Sequence, residues 1–459
     1  MRAPLFLPAP NAALFISIPH KGPHVPFSRY LKCFADPDNP DSLLLYSTKK
    51  GSVVKVARRL FADAKRGCIG DAEREALQRR EIWIDDATAE REAMAGLVDR
   101  TNAGSSTFSA TVALTMNCNL ACPYCFEDRF RAGQSMSEET AQLLVDHVAR
   151  EQIGKKRDVE LRFYGGEPLL AVPRLKQIAG PLRDAAAAAG TKFSCSLVTN
   201  ATLLTRPLVE QLIPFGLVSA QITLDGPAQI HDRQRPYLSG KGSFSSILAN
   251  LLEVYDLVTL KPGGNFTRDN YRKFPAALDA LTEAGIDPAR VGPVQFSAIH
   301  PKSGGHDPQG ASCFAGHETW RIEAHIFLRE EILRRGFSVE PLTMGICMIE
   351  LTNTMVVNWD GALYKCPVFM GWPELSIGSL AEGVKDYSAS HNLGLWNSDE
   401  CLDCAYLPLC FGGCRFVSKL KNGAIDRVDC RRNVFDATLE EMVLQDMRSK
   451  NKIDRLCRT

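Results

Sequence analysis

Short β-rich runs alternate with helical stretches through the middle of the chain. Strands are predicted at 107–115, 159–164, 193–198, 218–224 and 291–299, with helices at 137–152, 175–188, 204–213, 243–255 and 271–284. Strands separated by helices are the pattern of a parallel α/β sheet, because joining two parallel strands takes a long crossover. With one more strand after residue 260, six would curve into a partial barrel whose functional loops sit at the strand C-termini. Two places strain this pattern. Gly180-Pro181 threatens the helix at 175–188, and Pro262, Gly263 and Gly264 weaken a central strand at the fifth place.

Before residue 105 the pattern is different. Residues 42–47 and 52–56 are β-rich and flank Thr48-Lys49-Lys50-Gly51, which reads as a hairpin turn. Helical stretches at 57–65, 72–79 and 87–98 follow, with Glu81-Ile82-Trp83-Ile84 ahead of the last. The far end, at 434–447, reads as a charged amphipathic helix. We therefore divide the 459 residues into a small α+β domain at 1–104, an α/β core at 105–335 and a C-terminal domain at 336–459.

Composition narrows the function classes. Lys and Arg number 54 against 53 Asp and Glu, so no basic excess points to nucleic acid and no charge block points to a membrane surface. Pro4, Pro8 and Pro10 interrupt the weakly apolar start, and no signal peptide is expected. Fifteen cysteines in such a chain favour metal ligation in a reducing, cytoplasmic setting over disulfides.

The cysteines carry the chemistry. Cys118, Cys122 and Cys125 lie in Met116-Asn-Cys-Asn-Leu-Ala-Cys-Pro-Tyr-Cys-Phe-Glu127, a Cys-x3-Cys-x2-Cys run with no fourth Cys nearby. Three thiolates can hold three irons of a [4Fe–4S] cube and leave the fourth iron open. Farther on come Cys347, Gly361 and Cys366, then Cys401-x2-Cys404-x5-Cys410-x3-Cys414 and Cys430. A structural zinc site, which wants four closing ligands, competes for either group on spacing alone.

The first run, with Phe126 after its last Cys, resembles the signature of the radical S-adenosylmethionine (SAM) superfamily, whose open iron chelates SAM. The seven later cysteines resemble the SPASM extension of that superfamily, which carries two auxiliary iron–sulfur clusters. The resemblance implies three [4Fe–4S] clusters and SAM as cofactors. It assigns Cys401, Cys404, Cys410 and Cys430 to one auxiliary cluster, and Cys347, Cys366 and Cys414 to the other. That second cluster would lack a fourth thiolate, for which Cys313 is a candidate. Cys33, Cys68, Cys195 and Cys457 match nothing and suit small buried hydrophobes.

Within the core, Gly165-Gly166-Glu167-Pro168 follows the second strand and matches the family's GGEP element. There, backbone carbonyls and the carboxylate receive the SAM ammonium, and glycine lets the backbone approach closely. Asn200 and Asp225 close the third and fourth strands as candidate contacts to SAM or substrate, with Asp225 the candidate catalytic group; helix capping is their other reading. His231-Asp232-Arg233 with Arg235 resembles a stretch of peptide-modifying members, or is a solvated loop ion pair. The fifth-strand Arg of many members is missing, which leaves the SAM carboxylate without a named partner.

The resemblance implies a partial (β/α)6 barrel with a winged-helix-like N-terminal domain and a C-terminal iron–sulfur domain. It implies reductive cleavage of SAM and hydrogen abstraction from a ribosomally made precursor peptide, with a flavodoxin- or ferredoxin-type reductant. Such N-terminal modules accept a leader peptide as an added strand; a structural cap on the barrel is the alternative. Sulfatase maturation is the rival activity. That branch has an Asp after the Cys matching Cys366 and a Cys six places before Cys347, where this chain has Pro367 and Pro341. A multicluster electron carrier is the reading from another class.

Overall fold

The computed structural model describes residues 27–125, 127, 133–299 and 318–456, with side chains to residue 449. Phe126, Cys313, Cys457 and the start of the chain lie outside the described residues.

The first unit is an antiparallel sheet of β1 (Leu31–Ala35), β2 (Ser42–Ser47) and β3 (Ser52–Ala57), in the order β1-β2-β3. The expected hairpin joins β2 to β3, with Ser47 opposite Ser52 and Gly51 at φ +64°. β1 was not expected. Helices Arg58–Lys65, Asp71–Gln78, Ala87–Ala95 and Leu97–Gly104 follow, the last two divided at Gly96 where one helix was predicted.

The core strands are β4 (Thr107–Thr115), β5 (Asp158–Gly165), β6 (Phe193–Thr199), β7 (Leu217–Thr223), β8 (Thr259–Phe266) and β9 (Gln295–Ala298), all parallel and neighbours in chain order. Their crossover helices include Glu138–Glu151, which starts where Ser137 Oγ accepts from Thr140 N, and which buries Ala141, Leu144, Val145 and Val148 on one stripe. The apolar stripes of these helices and the sheet share one large core.

Both strained places behave differently from expectation. Helix Val172–Ala189 continues through Pro181, which is exposed, while Ile178, Ala179 and Leu182 hold the inner face. β8 forms in spite of Pro262. Pairing with β9 begins only at Gly263, so Pro262 needs no ladder bond on that side. Gly264 is required there, since a Cβ would sit 2.2 Å from the Leu224 carbonyl oxygen.

The C-terminal part extends this sheet. β10 (Thr354–Val357) pairs parallel with β4, and β11 (Ala362–Tyr364), β12 (Gly378–Ser379) and β13 (Gly383–Val384) follow antiparallel. The sheet is thus ten strands wide, and the boundary drawn at 336 falls within one continuous ladder system. Helix Arg432–Leu456, longer than predicted, packs on Thr319–Arg334, with Arg329 Nη2 donating to Asp446 at 2.6 Å.

The N-terminal unit rests on the C-terminal cysteine loop. Tyr30 Oη donates to the Leu402 carbonyl at 3.0 Å, Thr48 Oγ1 to that of Ala405 at 2.7 Å, and Arg29 pairs with Asp403. Two apolar clusters seal the joint: Tyr30 with Trp396, Leu402 and Phe411, and Phe34 and Tyr46 with Tyr406 and Leu439.

Candidate active site

The chemistry-bearing loops all leave the C-terminal ends of the parallel strands. β4 runs into the Cys118–Cys125 loop, β5 into the Gly165-Gly166 turn, β6 into Asn200 and β7 into Asp225. The cysteine loop is held from two sides. Met116 N donates to Gln134 O and Ala121 N to Pro236 O, at 2.9 and 2.8 Å. Glu167 N donates to Asn117 O at 2.8 Å, tying the loop to the next turn. This crossing explains the two glycines. A Cβ on Gly165 would stand 2.1 Å from Thr115 O, and one on Gly166 would stand 2.3 Å from Asn117 O. Their freedom thus serves the approach of the cysteine loop itself.

Glu167 is fully buried and turned inward. Oε1 accepts from Leu169 N and Thr199 Oγ1, and Oε2 from Asn200 N, at 2.8 to 3.0 Å. Burial raises its pKa, and these bonds oppose the shift. In this structure its carboxylate braces the turn. Asn200 spans two loops: Nδ2 donates to Asn119 Oδ1 at 2.8 Å and toward Cys118 Sγ at 3.8 Å, while Oδ1 accepts from Thr202 N.

Asp225 is buried within a clamp. Oδ1 accepts from Asn265 N at 2.7 Å, and Oδ2 accepts the hydroxyl of Tyr124, from within the cysteine run itself. Arg235 Nη1 donates to the same Tyr124 oxygen at 2.8 Å. Burial raises the Asp225 pKa, with the Arg235 charge and the Tyr124 bond opposing. Asp225, the candidate catalytic group, is thus bonded to both the cysteine loop and β8 in this structure. The following stretch is not a solvated ion pair. His231 is fully buried, its Nδ1 accepting from Asp225 N and its Nε2 facing Ser243 Oγ, both at 3.1 Å. Tyr124 and Arg235 are the residues the sequence reading undervalued. Tyr124 stood in view inside the Cys-Pro-Tyr-Cys run, and Arg235 four places after His231.

None of the ten motif cysteines is in a disulfide, and members of each group implied by the resemblance act on one another electrostatically. Burial pushes Cys122 up to about 11; Arg235 opposes this, while the charges of Cys118 and Cys125 add to it. Cys366 is pushed up to about 12 by burial, with Cys347 and Cys414 adding. In the distal group, burial raises Cys401 with help from Cys404 and Cys430, and Cys410 feels Cys401. Between the first two groups stands Tyr164, whose hydroxyl bonds Glu127 and which feels both Cys125 and Cys366. Lys365 is also buried here; burial lowers it to about 8, and Cys347 pulls it back up.

Thiols crowded against one another in three separate sets fit iron–sulfur clusters, whose irons turn such thiols into thiolate ligands. No three His, Cys, Asp or Glu side chains among the described residues converge on a single metal ion. A cube does not require that, since each thiolate binds its own iron. Cys33 and Cys195 are buried, as expected of small hydrophobes, whereas Cys68 is exposed. No helix among the described residues is long and apolar enough to cross a membrane.

Residues 112–260, from within β4 to the first residues of β8, match the radical SAM superfamily. Among curated relatives, Fe-coproporphyrin III synthase of Methanosarcina barkeri is 29% identical over 361 residues, covering 68% of this chain and 84% of its own. The serine-type anaerobic sulfatase-maturating enzyme of Klebsiella aerogenes is 29% identical over 319 residues, covering 65% and 76%. PqqA peptide cyclase of Rhodopseudomonas palustris is 23% identical over 344 residues, covering 70% and 86%. The solved structure of native anSMEcpe with bound AdoMet and Cp18Cys peptide superposes with a TM-score of 0.60 at 19% identity, covering 75% of this chain and 99% of that one. That likeness is one of fold.

Proposed function

We propose that this radical SAM enzyme, a relative of the sulfatase maturases, installs a post-translational modification on a ribosomally synthesised peptide. The observation that carries the reading is the Cys118–Cys125 loop, pinned over the Gly165-Gly166 turn at the C-terminal mouth of the parallel sheet. Bound there, a [4Fe–4S] cluster and SAM supply a 5′-deoxyadenosyl radical able to take hydrogen from an unactivated C–H bond. The chain's own residues place that chemistry. The Gly165-Gly166 backbone would hold the SAM ammonium, Asn200 steadies Cys118, and the Tyr124–Asp225–Arg235 clamp keeps the loop in register. Cys347, Cys366 and Cys414 would hold one auxiliary cluster, and Cys401, Cys404, Cys410 and Cys430 the other, in the manner of a SPASM domain. Support for a peptide substrate comes from the sulfatase-maturating and PqqA-cyclising relatives, whose names specify protein or peptide targets.

Formylglycine formation is the second reading, favoured by the sulfatase-maturating relatives. Against it stands Pro367, which follows Cys366 directly and has neither a proton-accepting group nor a backbone N–H. The distinguishing experiment supplies SAM and a strong reductant, anaerobically, with either a peptide encoded beside the gene or a sulfatase-motif peptide. We expect 5′-deoxyadenosine and a mass change in the first, and no aldehyde in the second by hydrazide labelling. An aldehyde at a sulfatase-type Cys or Ser would overturn the assignment. A multicluster electron carrier would yield no 5′-deoxyadenosine with either.

A further inference from the structure

Lys365 is a buried cation in an unusual place. It is 1% exposed and directly precedes Cys366. Its Nζ donates to the carbonyl oxygens of Leu351 and Thr354 and to Thr354 Oγ1. These three bonds use the three donors of an ammonium. The Tyr387 ring lies beneath it, 5.5 Å from the nitrogen. Among the described residues no carboxylate forms an ion pair with it, and the charged group that acts on it is Cys347. Cys347 and Cys366 share one apolar cluster with Tyr364 and Phe369. An ammonium buried without a carboxylate is costly unless another anion compensates. The anions available here are the thiolates of this cysteine group.

We propose that Lys365 is a fixed positive charge set beside the cluster of Cys347, Cys366 and Cys414, raising that cluster's reduction potential. The inference rests on the reading of those cysteines as cluster ligands. One-electron reduction adds a negative charge to the cluster, and a cation held in a low-dielectric interior favours the charged product. The three acceptors fix the ammonium in place, so the effect is a built-in bias of this one site. Lys365 thus acts as a positioning residue for charge and touches no substrate. A purely structural strut would need only the donors, not the charge.

The test separates donors from charge. In anaerobically reconstituted full-length protein, iron is counted first and cluster potentials are then measured by EPR-monitored redox titration. Lys365→Gln keeps two donors and removes the charge. One auxiliary potential should fall while the other and that of the SAM-binding cluster hold, and Lys365→Arg should restore the wild-type value. A full iron complement with unmoved potentials in Lys365→Gln overturns the proposal. Iron for a single cluster in the wild type overturns the cluster reading, and the proposal with it. Where Lys365→Gln does not fold, wild-type protein carrying lysine labelled with 15N only at Nζ decides. Pulsed EPR of the reduced auxiliary cluster should then show a lysine nitrogen coupling, and its absence contradicts the assignment.

Discussion

At the scale of single residues, the site is a set of braces around thiols. Asp225 illustrates the distinction. An open base would be needed only for product formation, whereas a clamp is needed for SAM cleavage as well. Asp225→Asn replaces an acceptor of the Tyr124 hydroxyl with a donor in a buried network, a change worth about 1–3 kcal/mol. We expect 5′-deoxyadenosine formation and peptide modification to fall together, by roughly tenfold or more. Uncoupled SAM cleavage at the wild-type rate, with modification lost, would restore Asp225 as a base. His231 gives a second test. Burial holds it neutral, with a pKa of about 3 against the usual 6.5. Between those values the unfolded chain binds a proton that the folded chain refuses, so stability rises with pH through this window and is lost as pH falls below 6.5. Near pH 5 the loss is about 2 kcal/mol. Thermal unfolding followed from neutral to mildly acid pH should drop less steeply for His231→Gln than for wild type, and equal slopes would contradict this. Much of this was legible in the sequence: the ten cysteines, Gly165-Gly166-Glu167-Pro168 and Asn200 were all visible as motifs. The inward turn of Glu167 and the reach of Arg235 were not, because they depend on which loops cross above the strand ends.

Among the elements, periodicity found the alternating strands and helices, and it missed where tertiary contacts overrode local cost. Helix Val172–Ala189 absorbs Pro181 on its wet face, and β8 accepts Pro262 because its neighbour starts late. β1 was missed because Leu31–Ala35 is short and contains no β-branched residue, although the turn-rich Asp36-Pro37-Asp38-Asn39-Pro40-Asp41 follows it. The N-terminal unit was expected either to capture a leader peptide or to cap the barrel. Its Tyr30, Thr48 and Arg29 contacts instead lie against residues 402–405, beside the distal cysteines. Deleting residues 1–104 should therefore cost the distal cluster as well as leader-dependent turnover. Iron should fall by about four per chain. A truncated protein with full iron that modifies a leader-bearing peptide normally would show the unit to be dispensable on both counts.

For the whole molecule, one ten-stranded sheet carries the core strands and the first C-terminal strands, so the Cys118–Cys125 loop and the C-terminal cysteines share a scaffold. Tyr164, at the end of β5, stands between Cys125 and Cys366 and links the two sites. No sequence pattern announced that continuity, because β10 joins β4 across almost the entire length of the core. In the proposed function, Cys118, Cys122 and Cys125 hold the cluster that cleaves SAM, apart from two others. The most direct measurement is iron content and Mössbauer spectra alongside 5′-deoxyadenosine formation, in wild type and in the Cys118→Ala, Cys122→Ala, Cys125→Ala triple variant. We predict about twelve irons with SAM cleavage in the wild type, and about eight irons with none in the variant. SAM cleavage that survives the triple substitution, or zinc in place of iron at the C-terminal cysteines, would contradict it.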